Sequence, residues 1–354
     1  MQELSLLVFV TTISVALAAP LVSEKRQQPQ AATIVEQPDA PWGLQRISSP
    51  DPIPLEVRPK SREMAFRYQY DQSSGQGVDV YVIDGGVNAT HPEFEGRAKM
   101  LYNDFKDDNN DVSDHGTMVA GVIGSDPYGV AKNVNIWGLK CEMGNGNRTS
   151  RCLAQVLLSH QRRRDLPGFA GSVINMSFGS YKMYRSSLEF GNLTALVQAG
   201  VHIVASAGND NKDACDHWPS AANQNPQTQS IISVGASNIS DGKAYFSNNG
   251  SCVDIYAPGW TLTTTADGGI KQAFGTSLAA PAVAGVLASE LVLNPSLRLD
   301  PIGLKRHVLS KGVPIPGLGV LVNTRINEMR PTFEDVACQV ALVLVPVCRP
   351  SYSP

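Results

Sequence analysis

Val78-Asp79-Val80-Tyr81-Val82-Ile83-Asp84-Gly85-Gly86 is the stretch on which the fold turns. A short apolar run, rich in β-branched side chains and closed by Asp and two Gly, reads as a strand ending in a turn. Similar runs follow at 134–140, 172–178, 201–206, 230–234 and 253–256. Between them lie patterns of helical spacing at 115–123, 150–163, 186–198, 276–293 and 301–309. That alternation predicts an α/β fold of three layers, α/β/α, around a mostly parallel central sheet. In open parallel sheets reactive groups gather at the carboxyl ends of the strands. Three polar residues fall there: Asp84 closes one strand, Asn209 follows another and Ser277 opens a helix.

The 354 residues are 42% hydrophobic and 17% charged, enough apolar material for a large core. A formal charge of −3 and the lack of a long Lys/Arg run leave no electrostatic footprint for nucleic acid. At the start, an apolar stretch from 4 to 17 ends in Ala16-Leu17-Ala18 before Ala19 and Pro20, which reads as a cleaved secretory signal over residues 1–19. No other stretch reads as long and apolar enough to cross a bilayer, so a secreted chain without a membrane span is expected. Residues 20–39, polar and carrying Lys25-Arg26, read as a short pro-segment or linker; 40–330 is the expected main domain and 331–354 a C-terminal tail. Secretion permits disulfides. The six cysteines show no zinc-ligand spacing, and the most local of their fifteen connectivities is Cys141–Cys152, Cys215–Cys252 and Cys338–Cys348. Glycosylation sequons begin at Asn88, Asn147, Asn175, Asn192, Asn238 and Asn249, of which Asn175 falls inside an apolar strand and reads as a chance match.

Four segments carry chemistry: Val82-Ile83-Asp84-Gly85-Gly86-Val87, Asp114-His115-Gly116-Thr117-Met118-Val119-Ala120-Gly121, Ala207-Gly208-Asn209-Asp210 and Gly275-Thr276-Ser277-Leu278-Ala279-Ala280-Pro281. Each alone is ordinary, since an Asp after a strand is usually a turn residue and a Ser opening a helix is usually a cap. Together they give an acid, a base and a nucleophile in the order Asp, His, Ser. A serine hydroxyl needs a base within hydrogen-bond reach, here His115, and the base needs a carboxylate to fix its tautomer, here Asp84. Pro281, four residues after Ser277, cannot donate to the Ser277 carbonyl, which places Ser277 in the first helical turn. Gly208 and Gly275 leave room for another chain to approach the backbone.

With Ala40-Pro41-Trp42-Gly43-Leu44, His91-Pro92-Glu93-Phe94, Gly129-Val130-Ala131, Ser177-Phe178-Gly179 and Ser247-Asn248 between and before the boxes, the sequence resembles the subtilisin-like serine proteases, in particular the proteinase K-like subfamily of secreted fungal enzymes. The resemblance runs from Ala40 to about Asn323. It implies a subtilisin-like, monomeric endopeptidase acting on proteins or peptides, with Asp84, His115 and Ser277 catalytic and Asn209 with the Ser277 N–H holding the oxyanion. It implies that substrate lies extended between Ser177-Phe178-Gly179 and a stretch near 143–146 ending in Gly146, beside Ala207 and Gly208. The small residues Ala205, Ser206 and Ala207 point to an open apolar pocket and a broad preference for apolar or aromatic side chains. No cofactor is expected for catalysis. A structural Ca²⁺ is expected at Asp254, with backbone carbonyls of a loop near 218–230.

Where relatives have Thr or Ser after the catalytic Asp, Gly85 stands here; Leu278, Ala280 and Ala282 also depart from the pattern. These departures motivate a rival reading, a weakened relative kept as a binding or effector protein. A serine esterase is excluded, because no Gly-x-Ser-x-Gly elbow surrounds Ser277. Relatives carry a folding-assisting pro-domain before the Ala-Pro-Trp-Gly-Leu start, and 20–39 is too short to be one. Slow, aggregation-prone folding of the bare chain is the corresponding expectation.

Overall fold

The computed structural model describes residues 32–106, 108–141, 145–181 and 186–329. Strand β1 (Ile34–Ala40) pairs antiparallel with β2 (Phe66–Asp71) across helix α1 (Trp42–Ser48), with Ile34 opposite Asp71 and Ala40 opposite Phe66. The ordered fold therefore begins before residue 40, inside the stretch read as a linker. Polar cross-strand bonds hold this strand: Arg67 and Gln69 both donate to the Glu36 carboxylate, at 2.7 and 2.6 Å. Such pairs stabilise a strand without the apolar alternation that would announce it.

The chain continues through β3 (Val78–Asp84), β4 (Ala98–Asn103), α2 (His115–Gly124), β5 (Asn135–Lys140), α3 (Gly146–Arg163), β6 (Gly171–Met176), β7 (Ser180–Tyr181), α4 (Ser187–Gln198), β8 (His202–Ser206), β9 (His217–Trp218), β10 (Ile232–Ser237) and β11 (Ile255–Pro258). It closes with the hairpin β12 (Trp260–Thr264) and β13 (Ile270–Phe274), then α5 (Thr276–Leu293), α6 (Pro301–Lys311), β14 (Val313–Ile315) and β15 (Gly319–Leu321). Nine strands form the central sheet in the order β14-β15-β11-β10-β8-β6-β3-β5-β4. Every neighbouring pair is parallel except β14 with β15. From β3 the chain first builds β4 and β5 on one side and then crosses to β6 on the other. The carboxyl end of β3 is thus the switch point of the topology, where such sheets leave a crevice.

Side-chain alternation makes the three layers. Val78, Val80 and Val82 pack with Val119, Ile123, Val283 and Val286 from α2 and α5. Tyr81 and Ile83 turn the other way, onto Leu153, Val156, Leu193 and Leu196 from α3 and α4. Every residue of β3 is buried, as in a parallel strand covered on both faces. Each such aliphatic side chain contributes about 1.5–3 kcal/mol by leaving water.

Helix α5 runs over the predicted residues and is apolar on all sides, because it is enclosed between the sheet, α2 and α6. Its length and mean hydropathy of 1.6 would suit a membrane span. This corrects the reading that only the leader has such a stretch: the second one is a core helix. Disulfides join Cys141 to Cys152 and Cys215 to Cys252. Cys338 and Cys348 lie outside the described residues. Asn175 is fully buried in β6, in keeping with a chance sequon, whereas Asn147 and Asn238 are exposed.

Candidate active site

Asp84 ends β3 at the switch point and is completely buried. Its carboxylate accepts the Gly85 N–H at 2.8 Å and holds Nδ1 of His115 at 3.0 and 2.9 Å from its two oxygens. His115 opens α2 with a quarter of its side chain exposed. Burial alone would lower the imidazole pKa, but the charge and hydrogen bond of Asp84, with a smaller push from Asp111, raise it above the ordinary histidine value. The start of α2 is fixed from two directions. Asp111 accepts the Thr117 N–H and hydroxyl, both at 2.8 Å. Asp114, at φ 63°, ties to the β12–β13 hairpin through the Ala266 N–H at 3.0 Å and Lys271 Nζ at 2.9 Å. Asp111 was not read from the sequence; an Asp six residues before a helical Thr carries no periodic signal.

Gly116 allows α2 to sit against β3. A Cβ there would lie 3.0 Å from Cβ of Asp84 and collide with the Gly86 carbonyl. At Gly85, by contrast, a Cβ would meet only Ser113 Oγ, at 3.4 Å, an ordinary contact. The absent hydroxyl at 85 leaves Asp84 held by its own turn.

Ser277 is the second residue of α5 and partly exposed. The carbonyl that Pro281 leaves without a helical donor is taken up by Ser177, whose hydroxyl donates to Ser277 O at 2.8 Å. Ser177 immediately follows β6, the sheet neighbour of β3, so this bond sets the turn of Ser277 beside the end of the strand that carries Asp84. Asn209 Oδ1 accepts both the Thr276 N–H and the Thr276 hydroxyl, at 2.9 Å each. With its oxygen so occupied, the side chain presents Nδ2 toward Gly275, whose missing Cβ would lie 3.6 Å from that nitrogen and 2.8 Å from Ser277 Oγ. Asn248 supports the loop, donating to Ala207 O at 2.8 Å and accepting the Asp210 and Lys212 N–H groups. No hydrogen bond joins His115 Nε2 to Ser277 Oγ here; catalytic hydrogen bonds of this kind often close only around bound substrate.

The substrate-flanking residues divide. Phe178, Ala207 and Gly208 are buried and Gly179 is exposed, and the position a Cβ would take on either glycine is filled. A Cβ on Gly179 would clash with Cε1 of His217 and lie 2.6 Å from Trp218 O. On Gly208, at φ 104°, it would lie 2.8 Å from Cδ2 of His217 and collide with the Asn248 amide. The ring of His217 and the Asn248 amide thus occupy the place a side chain at 208 would take. Gly146 differs too. It opens α3, packed against Ser186 with Asn145 Oδ1 accepting the Arg148 N–H, and does not lie in an extended edge. Residues 143 and 144, also expected there, lie outside the described residues. His217 was missed, because a His-Trp-Pro run reads only as a turn. Its Nδ1 is buried without a partner among the described residues, and burial pushes its pKa down, toward the neutral ring.

Leu278, Ala280 and Ala282 are all buried in the hydrophobic cluster beneath the sheet. None faces a reacting group. Asp254 meets a cation already: its Oδ1 lies 2.7 Å from Lys305 Nζ, and its Oδ2 accepts the Ser233 N–H at 2.9 Å and Asn223 Nδ2 at 2.8 Å. A calcium ion does not fit these residues while that ammonium is in place.

Residues 75–312 match the Subtilase family model, Peptidase_S8. A subtilisin-like serine protease of Rhodotorula mucilaginosa, Rho m 2.0101, is 38% identical over 314 residues, spanning 83% of this chain and 87% of that protein. Alkaline protease 2 of Aspergillus fumigatus is 40% identical over 294 residues, spanning 77% of this chain but 56% of its own. For cerevisin of Saccharomyces cerevisiae the figures are 39% over 290 residues, 78% and 43%, so the chain spans about half the length of these two relatives. Among solved structures, a cold adapted subtilisin-like serine proteinase superposes with a TM-score of 0.67 at 34% identity, over 81% of this chain and 98% of that one.

Proposed function

We propose, from the premise that this chain belongs to the subtilase family of serine endopeptidases, that Asp84, His115 and Ser277 cleave peptide bonds through an acyl-enzyme, with Asn209 binding the oxyanion. The observation that carries the reading is the Asp84–His115 pair at the switch point, with a helix-opening serine anchored to the next strand. In the first step His115 Nε2 takes the Ser277 Oγ proton as Oγ bonds to the carbonyl carbon. The carbonyl π electrons move to oxygen, where Asn209 Nδ2 and the Ser277 N–H donate. His115 then gives its proton to the departing amine nitrogen as the C–N bond breaks. Water repeats the sequence on the ester and restores the serine. Asp84 holds the Nδ1–H tautomer throughout and stabilises the transient imidazolium.

Protein or peptide chains are the substrates, bound extended against Ser177-Phe178-Gly179 by main-chain hydrogen bonds. An apolar or aromatic side chain before the scissile bond is the expected preference, from the small residues Ala205, Ser206 and Ala207 that follow one another there. The apolar leader and the two disulfides support secretion. The burial of Ala280 and Ala282 weighs against the binding-protein reading, which these two departures and Gly85 motivated. Exposure of the secreted chain to a fluorophosphonate probe and to casein tests the proposal. Label on Ser277, lost in His115→Ala, together with casein cleavage, is the expected result; intact casein and an unlabelled Ser277 would reject it.

A further inference from the structure

The ammonium of Lys305, on α6, lies in a cage of oxygens. It donates to the carbonyls of Gln229 at 2.9 Å and Ile231 at 2.8 Å and reaches Asp254 Oδ1 at 2.7 Å. Three acceptors match the three N–H bonds of an ammonium. The residue is buried, as is its partner's other oxygen network: Asp254 Oδ2 holds the Ser233 N–H and the Asn223 amide, which also donates to Cys252 O at 2.8 Å. One carboxylate and two main-chain carbonyls, converging from two separated segments, make the donor set of a hard cation. The distances, however, are those of charge-assisted N–H···O bonds. Asp254 and the loop before β10 are also where a structural calcium ion was expected from sequence.

We propose that Lys305 is the built-in structural cation of this site. The chain carries the positive charge covalently, supplied by α6, so the loop from 219 to 231 and the turn before β11 are held without a divalent ion. The cage in turn explains the buried lysine, whose charge is fully partnered. A second consequence follows from the oxygen set: removing the ammonium leaves a carboxylate and two carbonyls around a vacated space, which is a latent site for Ca²⁺.

The experiment uses the full chain with Ser277→Ala throughout, to prevent self-digestion, and reads thermal unfolding in EDTA and in millimolar calcium chloride. With Lys305 present, calcium leaves the Tm unchanged. Lys305→Ala loses roughly 5–10 °C in EDTA, the effect of stranding a buried carboxylate, and regains part of it in calcium. Lys305→Met fills the space without charge and is not rescued. Hydrogen–deuterium exchange of the Lys305 protein provides a readout that needs no variant at this site: amides from 219 to 234 should exchange at the same rate with and without calcium. The proposal is overturned if calcium slows that exchange, if calcium raises the Tm of the Lys305 protein and Asp254→Asn abolishes the rise, or if a folded Lys305→Ala neither loses stability nor responds to calcium.

Discussion

Asp84, at the end of β3, and Asp254, in the turn before β11, are two carboxylates treated alike by the backbone, each accepting a nearby main-chain N–H. Their counter-ions separate them. Asp84 faces the imidazole of a histidine, the side chain whose ordinary charge change falls nearest neutral pH, and Asp254 faces the ammonium of Lys305. The amides beside them repeat the contrast. Asn209 has its oxygen locked by Thr276 and its NH₂ turned to open space, while Asn223 has its NH₂ locked between Asp254 and Cys252 O. Where one group of a pair is left free or titratable the site can react; where all are satisfied and fixed it can only hold.

The sharpest way to break this comparison is to neutralise each carboxylate in turn. Asp84→Asn should lower kcat by roughly 10⁴-fold, because the wrong tautomer of His115 is then favoured. The fold should survive. Asp254→Asn should do the reverse, lowering the Tm while single-turnover acylation of the folded fraction stays near the parental rate. Equal losses of kcat in the two variants, measured on a peptide anilide, would erase the distinction. Next in size is Asn209→Ala, for which kcat should fall by roughly 10²–10³ with KM little changed. An unchanged kcat would take Asn209 Nδ2 out of the oxyanion site.

The pH dependence follows with a smaller effect. His115 must be neutral to accept the Ser277 proton, so kcat/KM should drop about tenfold per pH unit below a midpoint that lies above the usual histidine value. Stability runs the other way. A histidine whose folded pKa is raised contributes stability that is fully present below its unfolded pKa and is lost as pH rises through the folded one. The Asp84–His115 pair therefore stabilises most in the acid range where activity fails. Tm profiles of the parental and Asp84→Asn proteins, converging as pH rises past neutrality, check this. Smallest of all is Gly85→Ser, which has room against Ser113 Oγ and should change stability by no more than about 0.5 kcal/mol and kcat by less than about twofold.

What the sequence revealed depended on how local the cause was. β3 and α5 were legible because burial on both faces of a strand, and on all sides of a helix, leaves an unbroken apolar run. The boxes around Asp84, His115, Asn209 and Ser277 were legible because turn and helix-start chemistry is written in adjacent residues. β1 and β2 were not, since their pairing rests on polar contacts between residues far apart in the chain. The Lys305 cage was invisible for the same reason: its carbonyls lie 76 and 74 positions away, and a lone Lys on a helix reads as solvent-facing. Gly208 and Gly179 were visible as glycines, but that the His217 ring packs against both was not, because only the folded chain brings it there.

The bond from the Ser177 hydroxyl to the Ser277 carbonyl joins the proposed peptide-binding edge and the proposed nucleophile into one mechanical part. A chain that docks along Ser177-Phe178-Gly179 pulls on the same turn that aims Oγ. On that proposal, grip on a substrate would be transmitted to the attacking atom through a single oxygen, and a residue that never touches the scissile bond would set the angle of attack on it.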